Sequence, residues 1–333
     1  MKSIYLGDER VFRIYYGQTA DALKNEAGLL PILYTKDDVL REPSKFDSVE
    51  NIFTTWGMPA FSDDELNGIF PSLKAVYYAA GSVRYFARPF LERGVRVHSA
   101  WGANAVPVAE YTTAQILLAN KGFFQGCRIC SEGLSERGRA QQYVNASCGN
   151  YGACVGIIGV GMIGKMVIRA LSEYRLTILV YDKFLTDGQA AELGVQKVSL
   201  EELFERCDTV SNHVANLPET VGMLRYEHFS RMKKNATFIN TGRGAQVVEA
   251  DLIRALTEEP SRTAVLDVTD PEPPTEESPL YRRPNVFLTP HIAGSSGDEV
   301  RRMGEYMLEE FRRGERNEAY RYAVTPKMLE TMA

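Results

Sequence analysis

Three polar residues of complementary chemistry stand just past short apolar runs: Arg243 after FINTG, Glu272 after VLDVTDP and His291 after VFLTP. An arginine fork binds a carboxylate with two parallel hydrogen bonds. A histidine gives or takes a proton near neutral pH. A carboxylate beside it fixes the ring and favours the imidazolium. Taken one at a time, each has a plainer reading: a surface cation, a solvated loop acid, a structural histidine. A second motif is Gly159, Gly161 and Gly164, a G-x-G-x-x-G between the run VGIIGV and the helical stretch MIGKMVIRAL. In such a turn the first glycine permits the bend, the second admits a pyrophosphate and the third lets helix and strand pack. Met162 and Ile163 open the helix, whose free N–H groups and positive dipole end suit phosphate oxygens. Asp182 lies 18 residues past Gly164, at the end of ILVYD. An acid there accepts from ribose hydroxyls and repels a 2′-phosphate, favouring NAD over NADP. Lys183, next to it, weakens that preference.

For these groups to meet, strands must end at one edge of a sheet. The runs at 3–7, 29–34, 51–57 and 73–80, then 155–160, 176–182, 208–214, 236–242, 262–268 and 285–290, read as strands alternating with helices. That alternation implies parallel sheets covered on both faces, and in open α/β sheets the carboxyl ends of the strands line the ligand crevice. Ser62, with Glu65 three residues on, predicts a helix start. Helices are also predicted over 107–120, with Pro107 in the first turn, and over 298–313, ending near Gly314. Of 333 residues 44% are hydrophobic and 24% charged, which excludes a disordered chain. The net charge of −5 leaves no electrostatic footprint for nucleic acid or an anionic membrane. No apolar run reaches about 18 residues, so a membrane span is not expected. Five cysteines, an odd and sparse set, point to a reducing cytoplasm rather than a disulfide framework. Cys127-x-x-Cys130 lacks a second ligand pair at metal-site spacing, and no metal is expected. His98 and His228 read as structural, and His213 as packing or bonding beneath the cofactor loop.

The stretches VGIIGVGMIG, FINTGRGAQVVEADL, AVLDVTDPEPP and TPHIAGSS, with VAEYTTAQILLAN before them, resemble the D-isomer-specific 2-hydroxyacid dehydrogenase family in order and spacing. The resemblance implies two Rossmann-like or flavodoxin-like α/β domains with a cleft between them. It implies a discontinuous substrate-binding domain of residues 1–102 plus 299–333 and an NAD-binding domain of residues 103–298. Residue by residue, it makes Arg243, Glu272 and His291 the catalytic arginine, acid and histidine. It places Asp267 against the nicotinamide carboxamide and Val214, Ala215, Thr220 and Thr241 along the cofactor. Where the family has G-V-G-V-D-N this chain has Ala80-Gly81-Ser82-Val83-Arg84-Tyr85; the backbone N–H groups of Gly81 and Ser82 remain able to hold a substrate carboxylate.

The implied activity is NAD-dependent hydride transfer on a small 2-oxo or 2-hydroxy acid, of the glyoxylate or hydroxypyruvate reductase kind. The implied assembly is a homodimer through the cofactor domains. Three rivals stay open: a formate dehydrogenase, which pairs Gln rather than Glu with the histidine, an NADH-sensing binding protein of the same fold, and a non-enzymatic structural protein, which the presence of all three polar groups disfavours. Trp56, Met58 and Phe61 read as crevice lining or packing, and Arg84 as a second anion-binding group or a solvated side chain.

Overall fold

The computed structural model describes residues 2–331. The chain falls into two units, one of Met1–Ala105 with Ser295–Ala333 and one of Val106–Gly294. In the first unit, strands β1 (Ser3–Leu6), β2 (Leu33–Tyr34), β3 (Asn51–Thr54), β4 (Ala75–Tyr78) and β5 (Arg96–Ser99) form a parallel sheet in the order β2-β1-β3-β4-β5. Side chains alternate between its faces. Tyr5, Phe53 and Tyr77 pack on Met303, Met307 and Phe311 of the helix Val300–Glu315. Ile4, Leu6, Ile52, Val76 and Tyr78 pack on Phe46, Phe61, Phe86 and Phe90. Each large side chain buried this way contributes about 1.5–3 kcal/mol.

The second unit holds β6 (Cys154–Ile158), β7 (Thr177–Tyr181), β8 (Gln196–Lys197), β9 (Thr209–Asn212), β10 (Thr237–Asn240), β11 (Thr263–Leu266) and β12 (Val286–Leu288). They make a parallel sheet in the order β12-β11-β10-β9-β6-β7-β8. Strand order reverses between β6 and β9, which opens a crevice at their carboxyl ends. Both faces are covered, Ile158 and Phe238 by one cluster and Ile157 and Ile239 by another, so the strands are apolar throughout. Among the described residues no helix is long and apolar enough to cross a membrane.

Several predicted elements differ. The 29–34 run yields only the two residues of β2, because Pro31 interrupts it and Leu30 and Ile32 turn to solvent. Strands β5 and β8 carry little apolar signal; β5 is Arg-Val-His-Ser, and its His98 is buried by pairing. The long helix runs Trp101–Asn120, so Pro107 lies inside it rather than in its first turn. A proline costs that helix one backbone hydrogen bond without ending it. The last helix runs Val300–Glu315 after a cap in which Ser296 N–H donates to Glu299 Oε2 at 2.9 Å, and Gly314 lies within it, against Tyr320. The predicted cap at Ser62 is present with its reciprocal Glu65 bond.

His98 lies face to face with Tyr77, ring centroids 4.9 Å apart, and its Nδ1 is 3.0 Å from Glu310 Oε2. Burial raises the Glu310 carboxyl, but hydrogen bonds from His98 and from the N–H groups of Arg321 and Tyr322 more than offset it, leaving it below its usual 4.5. Arg313 Nε stands 3.8 Å away. A carboxyl depressed by folding stabilises above its unfolded value, and that stability is lost as pH falls through the folded one. Glu310→Ala should therefore lose about 3–5 kcal/mol at neutral pH. The gap in thermal stability between wild type and Glu310→Gln should shrink from pH 7 towards pH 3, as thermal melts across that range would show.

Candidate active site

At the β6 end, Gly159 bends the chain at φ 88, and a Cβ there would lie 2.8 Å from Val214 N. Gly164 packs its helix Met162–Leu171 onto the turn so closely that a Cβ would fall 2.1 Å from Gly159 O. Gly161 differs: a Cβ there meets nothing within 4 Å. The cradle a side chain would fill stays open at the N-terminus of that helix, which fits a dinucleotide pyrophosphate. Met162 is exposed and Ile163 half-buried beside it. Asp182 ties the turn to β7: Val160 N–H donates to Oδ2 at 2.7 Å, and Phe184 and Leu185 N–H donate to Oδ1 at 2.7 and 2.9 Å. A carboxylate has about four acceptor positions, so one remains for a ribose hydroxyl.

Across the crevice, Arg243 rests on buried amides. Asn212 Nδ2 donates to Asn240 Oδ1 (3.0 Å) and Gln246 Oε1 (2.6 Å), and Asn240 Nδ2 donates to Arg243 O (3.0 Å). Arg243 N–H donates to Gln246 Oε1 at 3.2 Å, and its Nη1 to Gly242 O at 2.7 Å. Burial lowers the pKa of the guanidinium while the Glu272 charge opposes the shift. Glycines flank Arg243 on both sides, and they serve packing of the chain on itself. A Cβ on Gly244 would sit 2.0 Å from the Thr269 carbonyl carbon, and one on Gly242 3.0 Å from Gln246 Oε1. Gly244 thus lets the β10 loop press against the β11 loop that carries Glu272.

That loop meets His291. The imidazole Nδ1 is 2.5 Å from Glu272 Oε1, and both side chains are partly exposed. His291 sits at φ 56, in the left-handed region that few non-glycine residues occupy, and its surroundings compel it. The compulsion comes from Asp267, whose buried carboxylate accepts from Thr289 Oγ1 (2.6 Å), Ile292 N–H (2.8 Å) and Ala293 N–H (2.9 Å). The Tyr111 hydroxyl lies 3.1 Å from Thr289 Oγ1 and extends the chain of bonds.

Other anticipated residues shape the crevice wall. The Thr220 hydroxyl accepts from Leu217 N–H and donates to Ala215 O at 2.7 Å, so it orders the 214–220 loop, where Val214 and Ala215 are half-buried. Thr241 Oγ1 meets Thr112 Oγ1 at 3.0 Å, pinning the long helix to β10. His213 lies under the glycine turn with Nε2 3.0 Å from Ser211 Oγ, and burial pushes its pKa down to about 4, so it is neutral at pH 7. His228 accepts from Arg225 N–H at 3.1 Å. In the other unit, Ser99 Oγ donates to Ala80 O and Gly81 O, fixing the loop after β4; among the described residues the N–H groups of Gly81 and Ser82 make no hydrogen bond. Asn212, Asn240 and Gln246 escaped sequence reasoning. Their signal was an amide at the end of each of two apolar strands and a third three residues past Arg243.

Residues 114–293 match the D-isomer specific 2-hydroxyacid dehydrogenase family, NAD binding domain. The chain is 34% identical over 259 residues to a glyoxylate reductase of Korarchaeum cryptofilum, covering 76% of this chain and 77% of that one. It is 32% identical over 219 residues to a D-3-phosphoglycerate dehydrogenase of Archaeoglobus fulgidus, covering 66% of this chain but 41% of that longer one. The fold is shared with the apo form of Rhodotorula graminis D-mandelate dehydrogenase, at TM-score 0.82, 23% identity and 97% coverage of both chains.

The two glycines predict separable effects. Gly164→Ala should cost at least about 1–3 kcal/mol in thermal or denaturant unfolding, since the helix must lift off the turn. Gly161→Ala should change stability by less than about 0.5 kcal/mol, yet weaken NADH binding in a fluorescence titration.

Proposed function

The chain belongs to the D-isomer specific 2-hydroxyacid dehydrogenase family, and on that premise we propose that it interconverts a small 2-oxo acid and its 2-hydroxy acid as an NAD-dependent oxidoreductase. The observation that carries this is the 2.5 Å contact between His291 Nδ1 and Glu272 Oε1, the Glu272 loop being pressed against the one bearing Arg243. The Gly159–Gly164 turn, Met162, Ile163, Asp182, the 214–220 loop, Thr241 and Asp267 would hold NAD, which would supply the hydride. The charge on Asp182 selects NAD over NADP.

In the direction of reduction, Arg243 and the N–H groups of Gly81 and Ser82 bind the carboxylate of the acid. Arg243 also polarises the ketone oxygen, stabilising the charge that develops there. Protonated His291 gives its Nε2 proton to that oxygen as the alkoxide forms. Glu272 bonds Nδ1, which leaves Nε2 pointing to the reacting oxygen and balances the imidazolium charge. In the reverse direction neutral His291 removes the hydroxyl proton. The unit of Met1–Ala105 with Ser295–Ala333 binds the acid in this proposal. Family membership further supports a homodimer through the cofactor domains, and the small set of free thiols supports a cytoplasmic protein.

His291→Ala should lower turnover with NADH and a 2-oxo acid such as glyoxylate or hydroxypyruvate by on the order of 10²–10⁴, while NADH affinity stays near wild type. Full turnover by that variant would remove His291 from the reaction. Glu272→Gln removes the counter-charge of the imidazolium, so the alkaline limb of the reductive pH–rate profile should move to lower pH. An unmoved limb would contradict the pairing.

A further inference from the structure

The carboxyl end of the five-stranded sheet carries a charge pair that the chemistry above does not use. Asp8 and Arg10 follow β1 directly. Arg10 Nε donates to Asp8 Oδ1 and Oδ2 at 2.9 and 3.0 Å, and Nη2 to Oδ2 at 2.5 Å. The Arg10 backbone N–H also donates to Oδ1, at 3.0 Å. The pair lies over Gly57, just past β3, which takes φ 94; a Cβ there would fall 2.1 Å from Asp8 Oδ2 and 3.1 Å from Arg10 Nη2. Only a glycine lets the pair settle onto the end of β3.

From that position Arg10 reaches the neighbouring strand. The end of β3 lies beside that of β4, whose last residue is Tyr78, and the Arg10 charge acts on Tyr78 and on Tyr85 in the loop that follows. Tyr85 belongs to the loop that holds Gly81 and Ser82. Strands β1, β3 and β4 are neighbours in the sheet, so the loop carrying Gly81, Ser82 and Tyr85 stands at the same sheet edge as the interlocked ion pair. Asp8 fills the Nε–Nη2 edge of the guanidinium and offsets its charge, so the remaining Nη1 donors face an anion as part of a neutral pair. An anion approaching Arg10 meets the Asp8 charge beside it.

We propose that Asp8 is a specificity-determining residue: by neutralising Arg10 it restricts the enzyme to 2-oxo acids with one carboxylate and an uncharged substituent, and rejects dicarboxylic and phosphorylated ones. This rests on the reading that Gly81 and Ser82 hold the substrate carboxylate. It works by exclusion, since the site binds its proper substrates no more tightly for having Asp8 and only penalises the wrong charge.

Two substrates of the same shape isolate the charge. Oxaloacetate and 4-methyl-2-oxopentanoate differ by a carboxylate in place of an isopropyl group. With the full chain and NADH, wild type should show a kcat/KM ratio of oxaloacetate to 4-methyl-2-oxopentanoate below one. Asp8→Asn keeps the acceptor for Arg10 N–H but frees the guanidinium, and the ratio should rise on the order of tenfold to a hundredfold, less so at high salt. Arg10→Met leaves Asp8 uncompensated, and the ratio should fall below that of wild type. Arg84 is the same in all three proteins, so its charge cancels from the comparison. If Asp8→Asn fails to fold in a thermal melt, the opposite sign expected of Arg10→Met carries the test alone. A wild type that prefers oxaloacetate overturns the proposal, as does a ratio that neither variant moves or that both move the same way. Absence of NADH oxidation with every 2-oxo acid is a different result: it overturns the dehydrogenase reading, and this inference with it.

Discussion

One buried carboxylate organises the site. Asp267 takes three hydrogens from the segment after β12 and thereby fixes a histidine in a backbone conformation it would not adopt alone. Left-handed residues other than glycine cost of order 1–3 kcal/mol and persist only where neighbouring bonds over-determine them. Here the over-determination comes from a strand end, so the position of His291 is inherited from β11, a rigid part of the sheet. Glu272 leaves the same strand five residues later and meets the ring from the other side.

The same logic governs Arg243. Its loop lacks a carboxylate anchor and uses amides instead, with Asn212, Asn240 and Gln246 bonded to one another and to the backbone around the arginine. Buried polar networks of this kind are stable only when every member is satisfied, and then they define one geometry. Gly244 sets how near this loop comes to the loop carrying Glu272, and Gly164 sets how near the helix Met162–Leu171 comes to its turn. Distances at the site are thus fixed by two absent Cβ atoms as much as by the hydrogen bonds.

Much of this was legible in the residue order. Doubly covered parallel strands are continuous apolar runs, and those of the second unit stand out from its helices for that reason. The glycine turn and the polar residues at strand ends follow from the same geometry. What escaped has physical causes. A proline such as Pro107 reads as a helix boundary, but a long helix absorbs one missing bond. Strand β5 hides because its buried polar residue is compensated by Glu310, more than two hundred residues away. The amides under Arg243 carry no separate signal until the fold brings the ends of β9 and β10 together. Asp182 was assigned to a cofactor on its spacing after the glycine turn and Asp267 on resemblance, and neither reading revealed that each also ties down a turn through three hydrogens.

Convergence of Arg243, His291 and Glu272 matters only if a hydride reaches carbon beside them. The direct measurement is the fate of deuterium from NADH labelled at the transferring position of C4, followed by NMR of the product formed from a 2-oxo acid. Label bonded to C2 of a single-handed 2-hydroxy acid is the expected result, with its formation suppressed when His291 is replaced by alanine. Tight NADH binding with no label on C2 of any 2-oxo acid would contradict the assignment of this site to hydride transfer.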